Sequence, residues 1–176
     1  EAFAARGMLC SPYALFKEFM NRSDFDKYEH VWAIYDMEDN EYIINKYKNV
    51  SNVRFVEFNS NEYLKALAEA KYIINNSTFP GFVTKKDEQI YINTWHGIPL
   101  KTLGYDLPDA NIAVANTMRN FLSADYLISP NKFHSDIYLK AYKLDGLYEG
   151  TIIEEGQPRS DMIYHADRDE VIDQLK

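Results

Sequence analysis

Along the chain, short apolar runs alternate with stretches in which apolar residues recur at helical spacing. The runs His30 to Tyr35, Val53 to Phe58, Lys71 to Ile74, Gln89 to Thr94, Tyr126 to Ser129 and Thr151 to Glu154 predict strands. Ser11-Pro12 supplies a capping residue followed by a proline suited to the first helical position, so a helix should run to about Met20. Glu41 to Lys48 predicts a short helix. Ser60 should cap another, with Leu64, Leu67 and Ala68 on one face. Asp109 to Leu122 and Asn131 to Tyr142 predict two more, the second with Phe133, Ile137 and Ala141 turned inward, and Asp167 to Gln174 a last one.

Strands alternating with helices at this spacing imply βαβ units, hence an α/β fold around a mostly parallel sheet. Ligands of such sheets bind beyond the carboxyl ends of the strands. Three predicted loops fall there, at 75 to 81, 94 to 104 and 156 to 161. The chain begins at Glu1 without a strand ahead of its first helix, and the expectation is a piece of a longer protein.

Composition narrows the classes of partner. A chain of 176 residues with 46% hydrophobic positions can bury one sizeable core. With 27 acidic against 19 basic residues the formal charge is −8, which argues against a nucleic-acid binder. A local basic cleft for a polyanionic substrate is compatible with that balance. Cys10 is the one cysteine, so no disulfide framework is expected and a reducing, cytoplasmic setting is the simpler reading. No run reaches the ~20 apolar residues of a membrane span.

The candidate chemistry centres on Thr94-Trp95-His96-Gly97-Ile98-Pro99-Leu100-Lys101. A histidine just past a strand lies at the mouth of the sheet, and an imidazole titrating near ~6.5 can take a proton from an alcohol at neutral pH. A structural histidine in a tight turn fits the same spacing. Gly97 would permit close backbone approach or positive φ, and Lys101 adds a cation about one turn on. Asn75-Asn76-Ser77 offers amide and hydroxyl groups suited to polyol or phosphate oxygens, or serves as a capping loop. Arg159, after Gly156 and Pro158, is placed either to bind a phosphate or to pair with Asp161 or Glu155. His30, His134 and His165 have no zinc-site spacing, so no metal is expected. With 7 glycines and neither a G-x-G-x-x-G nor a Walker loop, no self-contained nucleotide pocket or resident cofactor is expected.

Several pieces recur in a recognisable order. They are Glu1-Ala2-Phe3 leading to Ser11-Pro12, then Asn75-Asn76-Ser77-Thr78-Phe79-Pro80, then Tyr91 through Lys101, then Ser129-Pro130-Asn131-Lys132-Phe133, and lastly Gly156-Gln157-Pro158-Arg159-Ser160-Asp161. This order resembles the CDP-glycerol:poly(glycerophosphate) glycerophosphotransferase family, the teichoic-acid primases and polymerases of Gram-positive bacteria. Gln157 stands where that family commonly has Tyr, and Ala2 where it commonly has Ser. The resemblance implies that residues 1–176 form a Rossmann-like, acceptor-side domain like the N-terminal half of a GT-B fold. A C-terminal domain binding the CDP-alditol would lie outside this chain. It implies His96 as general base, with Asn76, Ser77, Trp95, Gly97, Lys101 and Arg159 around the substrate. The implied partners are CDP-glycerol or CDP-ribitol and a lipid-linked teichoic-acid acceptor, with the enzyme peripheral on the inner membrane face. Two further readings are a non-catalytic polymer-docking module and half of a GT-B nucleotide-sugar transferase or epimerase. An intact His96 weighs against the first and the W-H-G-x-P-L-K run against the second.

Overall fold

The computed structural model describes residues 1–110 and 112–165. Its strands are β1 (His30–Ile34), β2 (Val53–Glu57), β3 (Tyr72–Asn75), β4 (Ile90–Asn93), β5 (Tyr126–Ile128) and β6 (Thr151–Ile153). Its α-helices are α1 (Cys10–Met20), α2 (Glu41–Tyr47), α3 (Asn61–Glu69), α4 (Ile112–Ser123), α5 (Lys132–Ala141) and α6 (Pro158–His165). Each predicted strand is present within one or two residues. The helix expected over Asp167 to Gln174 lies outside the described residues.

All the strand pairs described are parallel. β1 pairs with β2, and β3, β4, β5 and β6 lie side by side in that order. The α/β class expected from the pattern is therefore the one observed. Between β3 and β4 the register sets Asn75 opposite Asn93 at the carboxyl ends. Both side chains are fully buried, so polar groups lie where the sheet meets the candidate loops. The larger apolar cluster gathers Ile73, Tyr91, Phe121, Leu127, Tyr138 and Leu144 around the second sheet. A smaller one sets Met8 and Phe16 against Trp32 and Ile34 of β1.

Three local expectations are corrected. Leu9, not Ser11, holds the N-cap position of α1, and Ser11 lies inside the first turn with its hydroxyl buried and unpartnered. Pro12 stays within that turn, where its missing N–H costs little. Ser60 does cap α3, its oxygen accepting from Tyr63 N–H at 3.1 Å, but the helix faces inward along Tyr63, Ala66 and Leu67. Leu64 and Ala68 are exposed, because the larger Tyr63 ring fills the space against Phe58 at 5.0 Å. In α5, capped by Asn131, Phe133 is exposed while His134, Ser135 and Tyr138 turn inward. Tyr138 sets that rotation: its ring packs edge-on to Phe121 at 4.9 Å and its hydroxyl donates to the Ile128 carbonyl.

The stretch expected as a loop at 156 to 161 is corrected as well, since α6 begins within it. Gly156 takes φ +94°, a turn that favours glycine, and Pro158 then opens the helix. α6 packs on α1, which carries Arg159 toward the chain's beginning. No helix among the described residues is long and apolar enough to cross a membrane.

Phe121 is fully buried, with Trp95, Tyr138 and Tyr142 edge-on around it. Phe121→Ala should lower the unfolding free energy by about 3–5 kcal/mol, read from the denaturant midpoint. A loss under about 1 kcal/mol would show that this cluster does not organise the core.

Candidate functional site

The site starts from paired asparagines. Asn93 ends β4 with its side chain inward, donating to the Ser77 carbonyl at 2.9 Å and to the Tyr91 hydroxyl at 2.8 Å. Its oxygen accepts from Trp95 N–H at 2.8 Å, which turns the chain sharply after Thr94. Asn75, beside it on β3, accepts from Ser77 N–H through its side chain and from Thr94 N–H at 2.9 Å through its carbonyl. The two loops after β3 and β4 are thus tied together before either reaches solvent.

The turn they impose sets Trp95 at φ +45°, a region that costs a bulky residue ~1–2 kcal/mol. Gly97 lies outside the left-handed region, and a Cβ there would meet Arg159 Nη2 at an ordinary 3.8 Å. The expectation of a special glycine conformation at position 97 is corrected: the unusual backbone belongs to Trp95. Packing of the Trp95 ring against Phe121 at 4.9 Å offsets its strain.

His96 is consequently held on three sides. Its Nδ1 lies 2.6 Å from the Asn76 carbonyl oxygen. A carbonyl only accepts, so the proton of the neutral ring resides on Nδ1 and the lone pair on Nε2. The Trp95 ring lies 4.1 Å from the imidazole by centroid, and Phe3 closes the other side at 5.5 Å. Arg159 Nη1 donates to the His96 carbonyl at 2.9 Å and also approaches Cys10 Sγ at 3.7 Å. His96 as a whole is half-buried.

The beginning of the chain forms the remaining wall. Phe3, Ala4 and Ala5 follow one another in the left-handed region, with φ of 49°, 55° and 65°. Arg6 N–H closes that turn on the Ala2 carbonyl at 3.1 Å, and Phe3 N–H donates to Asn76 Oδ1 at 2.7 Å. Asn76 is fully buried, so it shapes the site through its main-chain carbonyl and its grip on Phe3. Ser77 is half-buried below the loop, whereas Lys101 is exposed on the segment beyond His96.

The CDP-glycerol:poly(glycerophosphate) glycerophosphotransferase family model matches residues 1–176. The chain belongs to that family. It is 31% identical over 183 residues to the teichoic acid poly(glycerol phosphate) polymerase of Bacillus spizizenii strain W23, covering 100% of this chain and 44% of that protein. It is 28% identical over 177 residues to the teichoic acid glycerol-phosphate transferase of Staphylococcus aureus strain NCTC 8325, covering 96% of this chain and 42% of the transferase. Among solved structures it matches the wall teichoic acid polymerase TagF with TM-score 0.79 and 29% identity, over 99% of this chain and 42% of that one. A histidine variant of TagF soaked with CDPG matches equally, with TM-score 0.79 and 28% identity over 99% of this chain and 43% of the other. The chain spans less than half the length of these relatives, and its parallel α/β arrangement is that of a GT-B-like fold.

Phe3, Asn93 and His134 were not among the candidate site residues chosen from the sequence. Asn93 carried a readable signal, an amide interrupting the apolar run of a buried strand. Phe3 carried none, because its contact depends on a left-handed turn. His134 is 1% exposed, stacks on Tyr138 at 4.6 Å and has an unpartnered Nδ1. Burial, and secondarily the nearby charge of His96, lower its pKa to about 4.

The sign of the resulting pH effect follows directly. Above the unfolded value of about 6.5 both folded and unfolded states hold this histidine neutral, and no differential exists. Between about 6.5 and about 4 the unfolded chain binds a proton that the folded one refuses, so stability falls as pH falls. Thermal melts across that window should show the decline, and the neutral replacement His134→Gln should flatten it. An unchanged slope in His134→Gln would assign the decline to other groups, such as the half-buried His30, whose pKa burial also lowers.

Proposed function

We propose that this chain is the acceptor-side domain of a CDP-glycerol glycerophosphotransferase, and that His96 is its general base. The observation that carries the reading is the hydrogen bond from His96 Nδ1 to the Asn76 carbonyl, which leaves Nε2 able to accept a proton at the carboxyl edge of the sheet. Membership of the family supports the substrate class.

In this reading the terminal hydroxyl of a teichoic-acid polymer, or of its primer, rests against the ring. Nε2 takes the hydroxyl proton as the oxygen forms a bond to the β-phosphorus of CDP-glycerol. The bond from that phosphorus to the bridging oxygen breaks, its electron pair leaves with CMP, and glycerol phosphate is added to the acceptor. Such phosphoryl transfer depends on positioning and charge stabilisation rather than on a covalent enzyme intermediate. Trp95 and Phe3 flank the imidazole and Arg159 holds its main-chain carbonyl, with Gly97 and Ser77 placed around the substrate. Lys101, exposed beyond the ring, supplies positive charge for an acceptor phosphate. CDP-glycerol is held mainly by the rest of the full-length enzyme, and a lipid-linked acceptor places that enzyme at the inner face of the membrane as a peripheral protein.

In the full-length protein, His96→Ala should lower turnover by about 10²–10⁴-fold while CDP-glycerol affinity changes little. His30→Ala, remote from the site, should keep its turnover per folded molecule. Retention of more than about a tenth of wild-type turnover by folded His96→Ala would remove the assignment of a base.

A further inference from the structure

The starts of α1 and α6 meet beside His96. Arg159, in the first turn of α6, brings Nη1 to 3.7 Å from the sulfur of Cys10, the first residue of α1. The same nitrogen donates to the His96 carbonyl at 2.9 Å. No hydrogen bond among the described residues uses Nη2, which lies by Gly97, where a Cβ would still stand 3.8 Å away. The ion pairs among the described residues do not include Arg159. Glu154, Glu155 and Asp161, the carboxylates nearest in sequence, are exposed instead. A half-buried guanidinium without a carboxylate is unusual, because the desolvation of its charge is not compensated.

The neighbouring groups are of the same kind. Neither the Cys10 nor the Ser11 amide has an acceptor among the described residues, and no side chain caps α1. Ser11 is 1% exposed and its hydroxyl has no partner. Gln157, the residue before Pro158 at the start of α6, is 8% exposed and its Nε2 has no partner. Buried polar groups without partners are rare in folded chains, and here they occur at both of the helix starts that Arg159 joins. Donors outnumber acceptors at this junction, and the start of a helix adds a preference for negative charge. An oxyanion supplies what is missing.

We propose that Arg159 and the first turn of α1 form a subsite for one phosphodiester of the acceptor, a single glycerol unit back from the hydroxyl that faces His96. The proposal rests on the acceptor-side reading and adds the contact by which that domain recognises its polymer. Arg159 then acts twice through one planar group: Nη1 holds the loop that carries the imidazole, and Nη2 holds the polymer. Reacting hydroxyl and base are registered by the same side chain. A phosphodiester carries a single negative charge, which one guanidinium balances. The diphosphate of CDP-glycerol carries more, and in this reading it is held mainly by the rest of the enzyme. Lys101 is exposed, so its charge is screened and attracts without fixing a position. A polyol that lacks phosphate is then a poor acceptor, even with the same terminal hydroxyl.

Calorimetry on the full-length protein tests this with two probes: a short glycerol-phosphate oligomer ending in a free hydroxyl, and a neutral polyglycerol of the same length. The wild type should bind the charged oligomer roughly tenfold to a hundredfold more tightly, the range of a charge-assisted contact. Equal affinity for the two would overturn the subsite outright. Arg159→Gln should lose most of the preference, and Arg159→Lys should keep part of it, since an ammonium retains the charge without the fork. An equal loss for both probes in Arg159→Gln would mean that the residue only holds the His96 carbonyl, which also overturns the proposal. So would a loss of CDP-glycerol affinity with the oligomer preference intact, because the phosphate would then be the donor's. Binding needs no base, so His96→Ala should retain the preference, and the subsite survives a failure of the base assignment. A wild type that binds neither probe would remove the acceptor-side reading and the subsite with it. The unaltered enzyme gives a second measurement that needs no variant. Alkylation of Cys10 by iodoacetamide, followed by mass, should slow severalfold when the charged oligomer is bound. A rate unchanged at saturation would contradict a phosphate at the junction of Cys10 and Arg159.

Discussion

The hydrogen bond between His96 Nδ1 and the Asn76 carbonyl determines what the imidazole can do. Without it the ring could present either nitrogen, and its Nε2–H tautomer would offer a donor where the proposed reaction needs an acceptor. Much of the surrounding structure keeps that carbonyl and that ring in register. Asn75 and Asn93 tie the β3 and β4 loops, Phe3 fastens Asn76, and Arg159 draws the His96 backbone toward α1 and α6. Asn93 and the Asn75 oxygen are satisfied largely by main-chain groups, whereas the buried Asn76 Nδ2 has no partner, and together they hold one loop geometry.

That geometry is strained where it meets solvent. Trp95 and the run from Phe3 to Ala5 occupy the left-handed region on opposite sides of the same imidazole. Isolated, these residues would relax to ordinary turns. The Trp95 contact with Phe121 and the closure of Arg6 on Ala2 supply the compensation. Packing and site are therefore linked through one ring pair, and a core substitution at Phe121 reaches His96 through Trp95.

The fold was legible because buried parallel strands are written as short apolar runs, as in Tyr126-Leu127-Ile128. His96 was legible for a related reason: it follows such a run directly. Helix faces were read in part: Leu67, Ile137 and Ala141 turn inward as spacing suggests, while Tyr63 and Tyr138 fill the core in place of Leu64, Ala68 and Phe133, a tertiary choice that helical period does not encode. Ser11 matched a cap by residue type, yet burial against the rest of the chain moved the helix start to Cys10. For Arg159 the local carboxylates at Glu155 and Asp161 offered plausible partners. The structure gives it a carbonyl 63 residues distant in sequence, reached only because α6 packs on α1. No local pattern announces such a contact.

The tautomer of His96 is the most direct point of attack on this account. Ring nitrogen resonances from selectively labelled histidine, followed at alkaline pH where imidazoles are neutral, distinguish a protonated nitrogen from a bare one. The account predicts a protonated Nδ1 and a bare Nε2 at His96. A proton on Nε2 would mean that Asn76 does not hold the ring and that no lone pair is presented to an acceptor hydroxyl.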